Sequence, residues 1–507
     1  MLNNKLISLE KLAQTIKKAK LKKKKIIHCH GVFDLVHLGH IKHFSEAKAL
    51  GDILVVTITP DKYITKGPNR PVFTAQHRAE FLSELESINY VSINRWPTAI
   101  ETIKLIKPDV YCKGPDYRLH ENDVSREIKN EINAVKSIKG KIKYTNDITF
   151  SSSKILNQHS DTLSEKQRLL LNKLPNKSFK DIKNSIERFK KLKVLVIGET
   201  IIDQYYFTEA LGKSGKEPIM MFRDLNSEQY AGGALAIARH LSQFCSSVSL
   251  LSMLGEKGQY EKFISSSLPK NISKKFIYKK SSPTIVKKKY IDSINKNKVF
   301  GIYEINDEVI KDKNEKDFHK LLKKLIPKHD LIVLSDYGHG LVSKKSAKFI
   351  CSKSSFLAIN AQVNAANIGH HTIGKYKNVD CVIINENELR HELRNKNEKI
   401  ENLMKSLCKK IKVKNLIVTQ GSNGAILYNK KNNQFCRCPA FASKVVDKVG
   451  AGDAMMSLTS IALLQKMDIN LSLLIGSLAG AQSVETIGNS LSVSKMKLIK
   501  TLEHLLK

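Results

Sequence analysis

Short apolar runs rich in Ile, Val and Leu alternate with longer amphipathic stretches, and the alternation comes in two series separated by one polar interval. In the first series, Leu9 to Lys20 carries apolar residues at helical spacing and Ile26-Ile27 opens a strand that ends in a turn at Gly31. A helix is predicted near Gly39, a second strand from Ile53 to Thr59, and a further one at Asp109-Val110-Tyr111-Cys112. Strand, helix, strand in that order predicts βαβ units, hence a parallel sheet with helices on its faces.

A chain of 507 residues is too long for one ordinary core. The interval from Asn157 to Lys190 is polar, contains Pro175 and reads as a linker that becomes a helix. The second series begins with Val194-Leu195-Val196-Ile197-Gly198 and continues through strands near Leu331 to Leu334, Val382 to Ile384 and Leu416 to Thr419. The expected division is residues 1–157, a linker and entry helix over 158–190, and a second α/β domain over 191–507. No repeat of roughly 20–50 residues appears, which excludes a solenoid.

The balance of 85 Lys and Arg against 48 Asp and Glu gives a net charge of +37, which favours polyanions. The lysines are dispersed along the whole chain, however, so the charge reads as a solvated surface rather than a nucleic-acid face. Eight cysteines without paired CxxC spacing give no zinc pattern and suit a reducing compartment. The first residues lack the apolar core of a signal peptide, and no apolar run approaches the roughly 18 residues of a membrane span. A cytoplasmic protein without a membrane span is expected.

The segment Gly31-Val32-Phe33-Asp34-Leu35-Val36-His37-Leu38-Gly39-His40 passes from strand through a glycine-marked turn into a helix. A helix start offers backbone N–H groups and a positive dipole end to phosphate. His37 and His40 are three apart, so both rings can face one anion, and Gly39 admits close approach. The arrangement suits attack on the α-phosphorus of a nucleoside triphosphate, with the histidines as donors. These residues resemble the HxGH signature of cytidylyltransferase-like nucleotidyltransferases. AKALGD at 47–52, KGPNRPV at 66–72, KGPDY at 113–117 and Ser151-Ser152-Ser153 extend the likeness to bifunctional ADP-heptose synthases. The resemblance implies that His37 and His40 hold the triphosphate, that Lys113 supports it, that Ser151, Ser152 and Ser153 add phosphate donors, and that Phe33 and Asp34 lie beside the nucleotide. It implies ATP, with CTP as the alternative.

In the second series, Gly450-Ala451-Gly452-Asp453 precedes an apolar helical stretch, Ala454 to Leu464. Small residues there expose N–H groups as an anion hole, and an aspartate beside it can take a proton from a sugar hydroxyl attacking a γ-phosphate. Together with VLVIGETIID at 194–203 and Gly232-Gly233-Ala234, this turn resembles ribokinase-like (PfkB) sugar kinases. By that resemblance Asp203, Gly232 and Gly233 bind sugar, Asn385 and Glu388 (the NxxE element) lie near Mg2+, Thr419 and Gly424 lie on the nucleotide side, and Asp453 is the base. Gly212-Lys213-Ser214 is no P-loop, because position 207 is Phe.

The chain departs from the kinase pattern at Ala236, where an Asn is usual, at Asn360-Ala361-Gln362-Val363, where Asp-Pro-Lys-Gly is usual, and at His339, where a Lys is usual. These departures fall on the substrate side and predict a changed sugar. The expected fold class is α/β in two domains, a Rossmann-like HxGH nucleotidyltransferase followed by a ribokinase-like fold, the reverse of the usual order in the bifunctional family. The expected partners are sugars or sugar phosphates and nucleoside triphosphates, with Mg2+; a homodimer is left open. A polyol-phosphate cytidylyltransferase fused to an unrelated kinase is one rival. An RNA-binding protein is the other, disfavoured because no KMSKS-like loop accompanies HLGH.

Overall fold

The computed structural model describes residues 4–117, 127–146, 163–175 and 178–506. The described chain falls into two compact units, Met1–Glu165 together with Met496–Lys507, and Lys166–Lys495.

The first unit is built on five parallel strands, β1 (Ile26–Gly31), β2 (Ile53–Ile58), β3 (Tyr90–Ile93), β4 (Val110–Lys113) and β5 (Lys141–Tyr144), in the order β3-β2-β1-β4-β5. Successive side chains of β1 divide between two cores, as the period of two in a strand requires. Ile27 and Cys29 pack with Phe44, Ala47, Ala79 and Leu82, whereas Ile26 packs with Leu9, Leu12 and Ile16. Burial on both faces explains why β2, ILVVTI, reads as a near-continuous apolar run.

The second unit holds two sheets. The larger has nine strands in the order β10-β9-β6-β13-β14-β15-β16-β17-β18. Its strands are β6 (Lys193–Gly198), β9 (Ser247–Gly255), β10 (Ile272–Lys279), β13 (Leu331–Asp336), β14 (Leu357–Ala361), β15 (Cys381–Asn385), β16 (Asn415–Thr419), β17 (Ala425–Asn429) and β18 (Gln434–Cys438). The pairings from β10 to β16 are all parallel, and β17 and β18 are added by two antiparallel pairings. The smaller sheet runs β12-β11-β7-β8, with β7 (Thr200–Lys213), β8 (Met220–Gly233), β11 (Ile285–Asp292) and β12 (Lys298–Glu304).

The stretch from Val194 to Asp203 is therefore two strands in two sheets rather than one, with Glu199 alone between them. The sheet order demands this close passage: a Cβ at Gly198 would stand 2.3 Å from the Ser335 carbonyl oxygen of neighbouring β13. Among the described residues no helix is long and apolar enough to cross a membrane.

Candidate active sites

In the first unit the strand order reverses between β1 and β4, and at such a switch point ligands bind outside the carboxyl ends of the strands. The HxGH turn leaves β1 there, and Lys113 ends β4 beside it. Phe33 takes the left-handed conformation at φ 50°, and the helix Leu38–Ala49 starts with His37 as its N-cap. His37 supplies no side-chain cap; its carbonyl accepts the His40 and Ile41 amides at 2.8 and 3.2 Å.

The His37 and His40 rings stack with centroids 4.0 Å apart and planes 22° from parallel, and Phe33 meets His40 edge-on. Burial, His37, Lys66 and His43 push His40 down to about 3, and burial lowers His37 as well. Both imidazoles are therefore neutral at physiological pH and meet phosphate as hydrogen-bond donors, not as cations. Among the described residues the buried Nδ1 atom of His40 has no hydrogen-bond partner, which fits a ligand acceptor. Gly39 is buried in the first helical turn.

Two of the expected nucleotide-side residues already hold protein partners. Asp34 turns inward: its Oδ1 accepts the Val72 and Phe73 amides at 2.8 and 3.2 Å and its Oδ2 pairs with Arg70 at 3.0 Å. Arg78, buried, donates to the carbonyls of Val32, Thr59 and Phe73 and to Asp61, fixing the turn from below. Asp34 thus braces KGPNRPV against the turn. Lys113 pairs with Glu131 at 2.9 Å and lies over the Tyr111 and Tyr117 rings. Ser151, Ser152 and Ser153 lie outside the described residues.

In the second unit the carboxyl ends of β13 to β16 bring Asp336, Ala361, Asn385 and Thr419 into one row, with Thr419 level with Asn385. The helix Ala451–Leu464 starts earlier than its apolar run, because Gly450 at φ 87° caps it and leaves Ala451, Gly452 and Asp453 as the first turn. A side chain at 450 is excluded, since its Cβ would stand 1.7 Å from Asn489 Oδ1. Asp453 accepts a hydrogen bond from the Tyr337 hydroxyl at 2.9 Å. Burial and the nearby Asp203 charge push its carboxyl up to about 7, against Tyr337 and Lys287. A carboxyl titrating near neutrality suits a general base.

Asp203 pairs with Lys289 at 2.7 Å, and Gly232 lies so close that a Cβ there would stand 2.3 Å from Asp203 Oδ2. Gly233 adopts φ 60° at the start of the helix Ala234–Ser242. Asp447 accepts from the Tyr205 hydroxyl at 2.5 Å and from Lys298 at 2.6 Å, tying β7 and β12 to the segment ahead of Gly450. Gly424, at φ 88°, lies against the Cys438 carbonyl oxygen, and Thr419 ends β16.

The Asn385–Glu388 element closes a capping box on its helix. Glu388 Oε2 accepts the Asn385 amide at 2.7 Å and Oε1 the Val363 amide at 3.1 Å. Burial raises this carboxyl to about 7. Among the described residues no three His, Cys, Asp or Glu side chains converge to hold a metal, so these residues do not form a cage for a resident ion. Of the departing positions, Ala236 is buried in its helix, His339 pairs with Asp307 at 2.6 Å, and Asn360 donates to the Ile383 carbonyl at 2.7 Å. Lysine returns from elsewhere: Lys375 reaches the buried Asp336 at 2.5 Å, with Tyr376 on the same oxygen.

Residues 191–496 match the family described as pfkB family carbohydrate kinase, and residues 28–158 the one described as Cytidylyltransferase-like. The chain belongs to the pfkB carbohydrate kinase family. It joins that kinase to an N-terminal cytidylyltransferase-like domain. "Bifunctional protein HldE" of Aliarcobacter butzleri (strain RM4018) is 41% identical over 120 residues, 23% of this chain and 25% of that protein. The protein of the same name in Helicobacter hepaticus (strain ATCC 51449 / 3B1) is 39% identical over 141 residues, 27% of this chain and 29% of that one. The chain thus spans only about a quarter of these relatives' length, and its domain order is the reverse of theirs. The pfkB part shares its fold with phosphofructokinase-2 from Escherichia coli, at a TM-score of 0.50 and 13% identity, over 62% of this chain and 99% of that one.

Sequence reasoning missed Tyr337 as the partner of Asp453, the Lys289 pair with Asp203, and the Arg70 and Arg78 braces. Tyr337 stood in plain view within Ser335-Asp336-Tyr337. The lysines of β11 carried no signal against a lysine-rich background.

Proposed function

We propose that the protein makes a nucleotide-activated sugar, through an ATP-dependent sugar kinase in its second unit and a sugar-phosphate nucleotidyltransferase in its first. One observation carries the reading: a single chain joins a pfkB kinase to a cytidylyltransferase-like domain, and its partial relatives are named bifunctional. In the kinase step a sugar hydroxyl, bound against Asp203, Gly232 and Gly233, attacks the γ-phosphorus of ATP. The new O–P bond forms as the bond to the bridging oxygen breaks, ADP leaves, and the proton passes to Asp453. The amides of the Gly450 to Asp453 turn, with Thr419 and Gly424 on the nucleotide side, receive phosphate. Magnesium enters with the triphosphate as part of that substrate, near Asn385 and Glu388.

In the nucleotidyl step a sugar 1-phosphate oxygen attacks the α-phosphorus of ATP, or of CTP in the alternative, and pyrophosphate leaves. His37 and His40 donate to the phosphate oxygens, with Lys113 and Ser151 to Ser153 in support. Phe33 and Gly39 shape the turn against the nucleotide. The resemblance to ADP-heptose synthases makes a heptose the first candidate and surface-glycan supply the setting.

A second reading rests on Ala236, His339 and Asn360: the kinase accepts a sugar other than the heptose 7-phosphate. Losing a partner for a sugar hydroxyl costs about one to two powers of ten in affinity. Incubating the full chain with a panel of sugars and sugar phosphates and each of the four triphosphates, with products identified by mass, tests both readings. No phosphorylated or nucleotide-linked product from any pair would overturn the first. Efficient, clearly preferred turnover of heptose 7-phosphate would overturn the second.

A further inference from the structure

Glu199, the single residue between β6 and β7, is wholly buried. Its Oε2 accepts the Tyr337 amide at 3.0 Å, and its Oε1 accepts the amides of His339 at 3.1 Å and Leu341 at 3.4 Å. The loop held this way contains Gly338 at φ 72° and Gly340 at φ 94°, conformations that local preference alone does not select uniquely. The Glu199 carbonyl meanwhile accepts the Ala234 amide at 3.0 Å, at the start of the helix that follows Gly232-Gly233.

Tyr337 is tied at both of its backbone polar atoms. Its amide goes to Glu199, and its carbonyl accepts the side-chain amides of Asn364 and Asn367, each at 2.9 Å. With the backbone fixed, its hydroxyl is delivered to Asp453 Oδ1 at 2.9 Å. A buried carboxylate that must accept a proton gains from a donor on one oxygen, which favours the ionised form and leaves the other oxygen open.

Resting on the reading of Asp453 as the base, we infer that Glu199 and Tyr337 are positioning residues for phosphoryl transfer. The Glu199 carboxyl group fixes the loop, and the Tyr337 hydroxyl orients Asp453 so that Oδ2 receives the sugar proton. A tyrosine that merely filled the core would have no effect on Asp453 through its hydroxyl.

Asp453 is faced by Tyr337 from the loop after β13, Asp203 from β7, Lys287 from β11 and Glu388 from the helix Glu386–Leu393. Among the described residues only Tyr337 donates a hydrogen bond to its carboxyl, so removing that hydroxyl disfavours the ionised carboxylate and moves its titration upward. The test titrates the full chain carrying carboxyl-13C aspartate, the Asp453 signal being the one absent from Asp453→Asn. In Tyr337→Phe its midpoint should rise by about one pH unit. Glu199→Gln should move it the same way, and the double variant should not add the two shifts. The acid limb of kcat, with ATP and heptose 7-phosphate as the probe acceptor, should move in parallel. An unmoved midpoint in a folded Tyr337→Phe protein would overturn the positioning roles, whatever Glu199→Gln does to folding. Sustained phosphorylation by Asp453→Asn would instead sink the base assignment, and the titration shift would remain readable apart from it.

Discussion

Lys113 Nζ lies 2.9 Å from Glu131 Oε2, and less than a tenth of either side chain is exposed. Burial opposes the lysine's charge, but Glu131, Tyr111 and Tyr117 more than offset it and hold Lys113 well above the ordinary lysine range. Removing one partner of such a pair leaves a buried charge unmatched. Glu131→Ala should therefore destabilise the first unit by about 3–5 kcal/mol. The thermal transition of that unit, followed separately from that of the second, reads it; an unchanged transition would show that water reaches Lys113.

Neutral histidines at the HxGH turn give a pH signature. His40 titrates near 3 when folded against about 6.5 when unfolded. Between those values the unfolded chain binds the extra proton, so stability falls as pH drops through 6.5 and is unaffected by His40 above it. His40→Gln should flatten that acid loss. His37→Ala and His40→Ala should each abolish pyrophosphate release while phosphorylation of sugar continues; parallel loss of both in a folded protein would contradict separate sites.

Asp453→Asn should reduce phosphorylation by roughly two to four powers of ten and keep ATP binding. The folded carboxyl titrates near 7, above the ordinary value of about 3.9, so its ionisation works against folding at pH 7 and above. That cost is absent below about pH 4, where both states are protonated. The variant should accordingly melt higher than the parent at pH 8 and converge with it toward pH 4. Identical melting at pH 8 would mean that Asp453 is not held off its ordinary pKa.

Gly232→Ala tests the sugar side. The added methyl cannot coexist with Asp203 Oδ2 at 2.3 Å, so the carboxylate, whose Oδ1 pairs with Lys289, must shift. The expected result is a KM for sugar raised by about tenfold or more, with KM for ATP unchanged. A KM unchanged for both would take Asp203 out of sugar binding.

Legibility in the sequence followed chain distance. HxGH and Gly450 to Asp453 were readable because each anion site is made by consecutive residues at one helix start, where backbone geometry follows from spacing. Tyr337 and Asp453 stand 116 residues apart, and Lys289 and Asp203 stand 86 apart, so only the folded sheets bring them together. The four-stranded sheet escaped notice because β8 is exposed over most of its length and lacks the alternation that marks a half-buried strand. The pairing of Asp34 with Arg70 was not legible because Arg70 lies in another motif, 36 residues on.

Asp447 holds Tyr205 of β7 and Lys298 of β12 while sitting just ahead of the turn that carries Asp453. A ligand gripping those strands is therefore mechanically connected to the base proposed above, and in the proposed kinase step the acceptor sugar lies against Asp203 of β7. On that proposed reading the consequence is fidelity: water, which cannot engage β7 and β12, would meet a base that is not yet set. Asp447→Asn should loosen this and turn the kinase into a leaky ATPase, with ATP hydrolysis without sugar rising severalfold while sugar phosphorylation falls. If hydrolysis without sugar stays at the parent's level, Asp447 is a fastener only, and discrimination against water lies elsewhere.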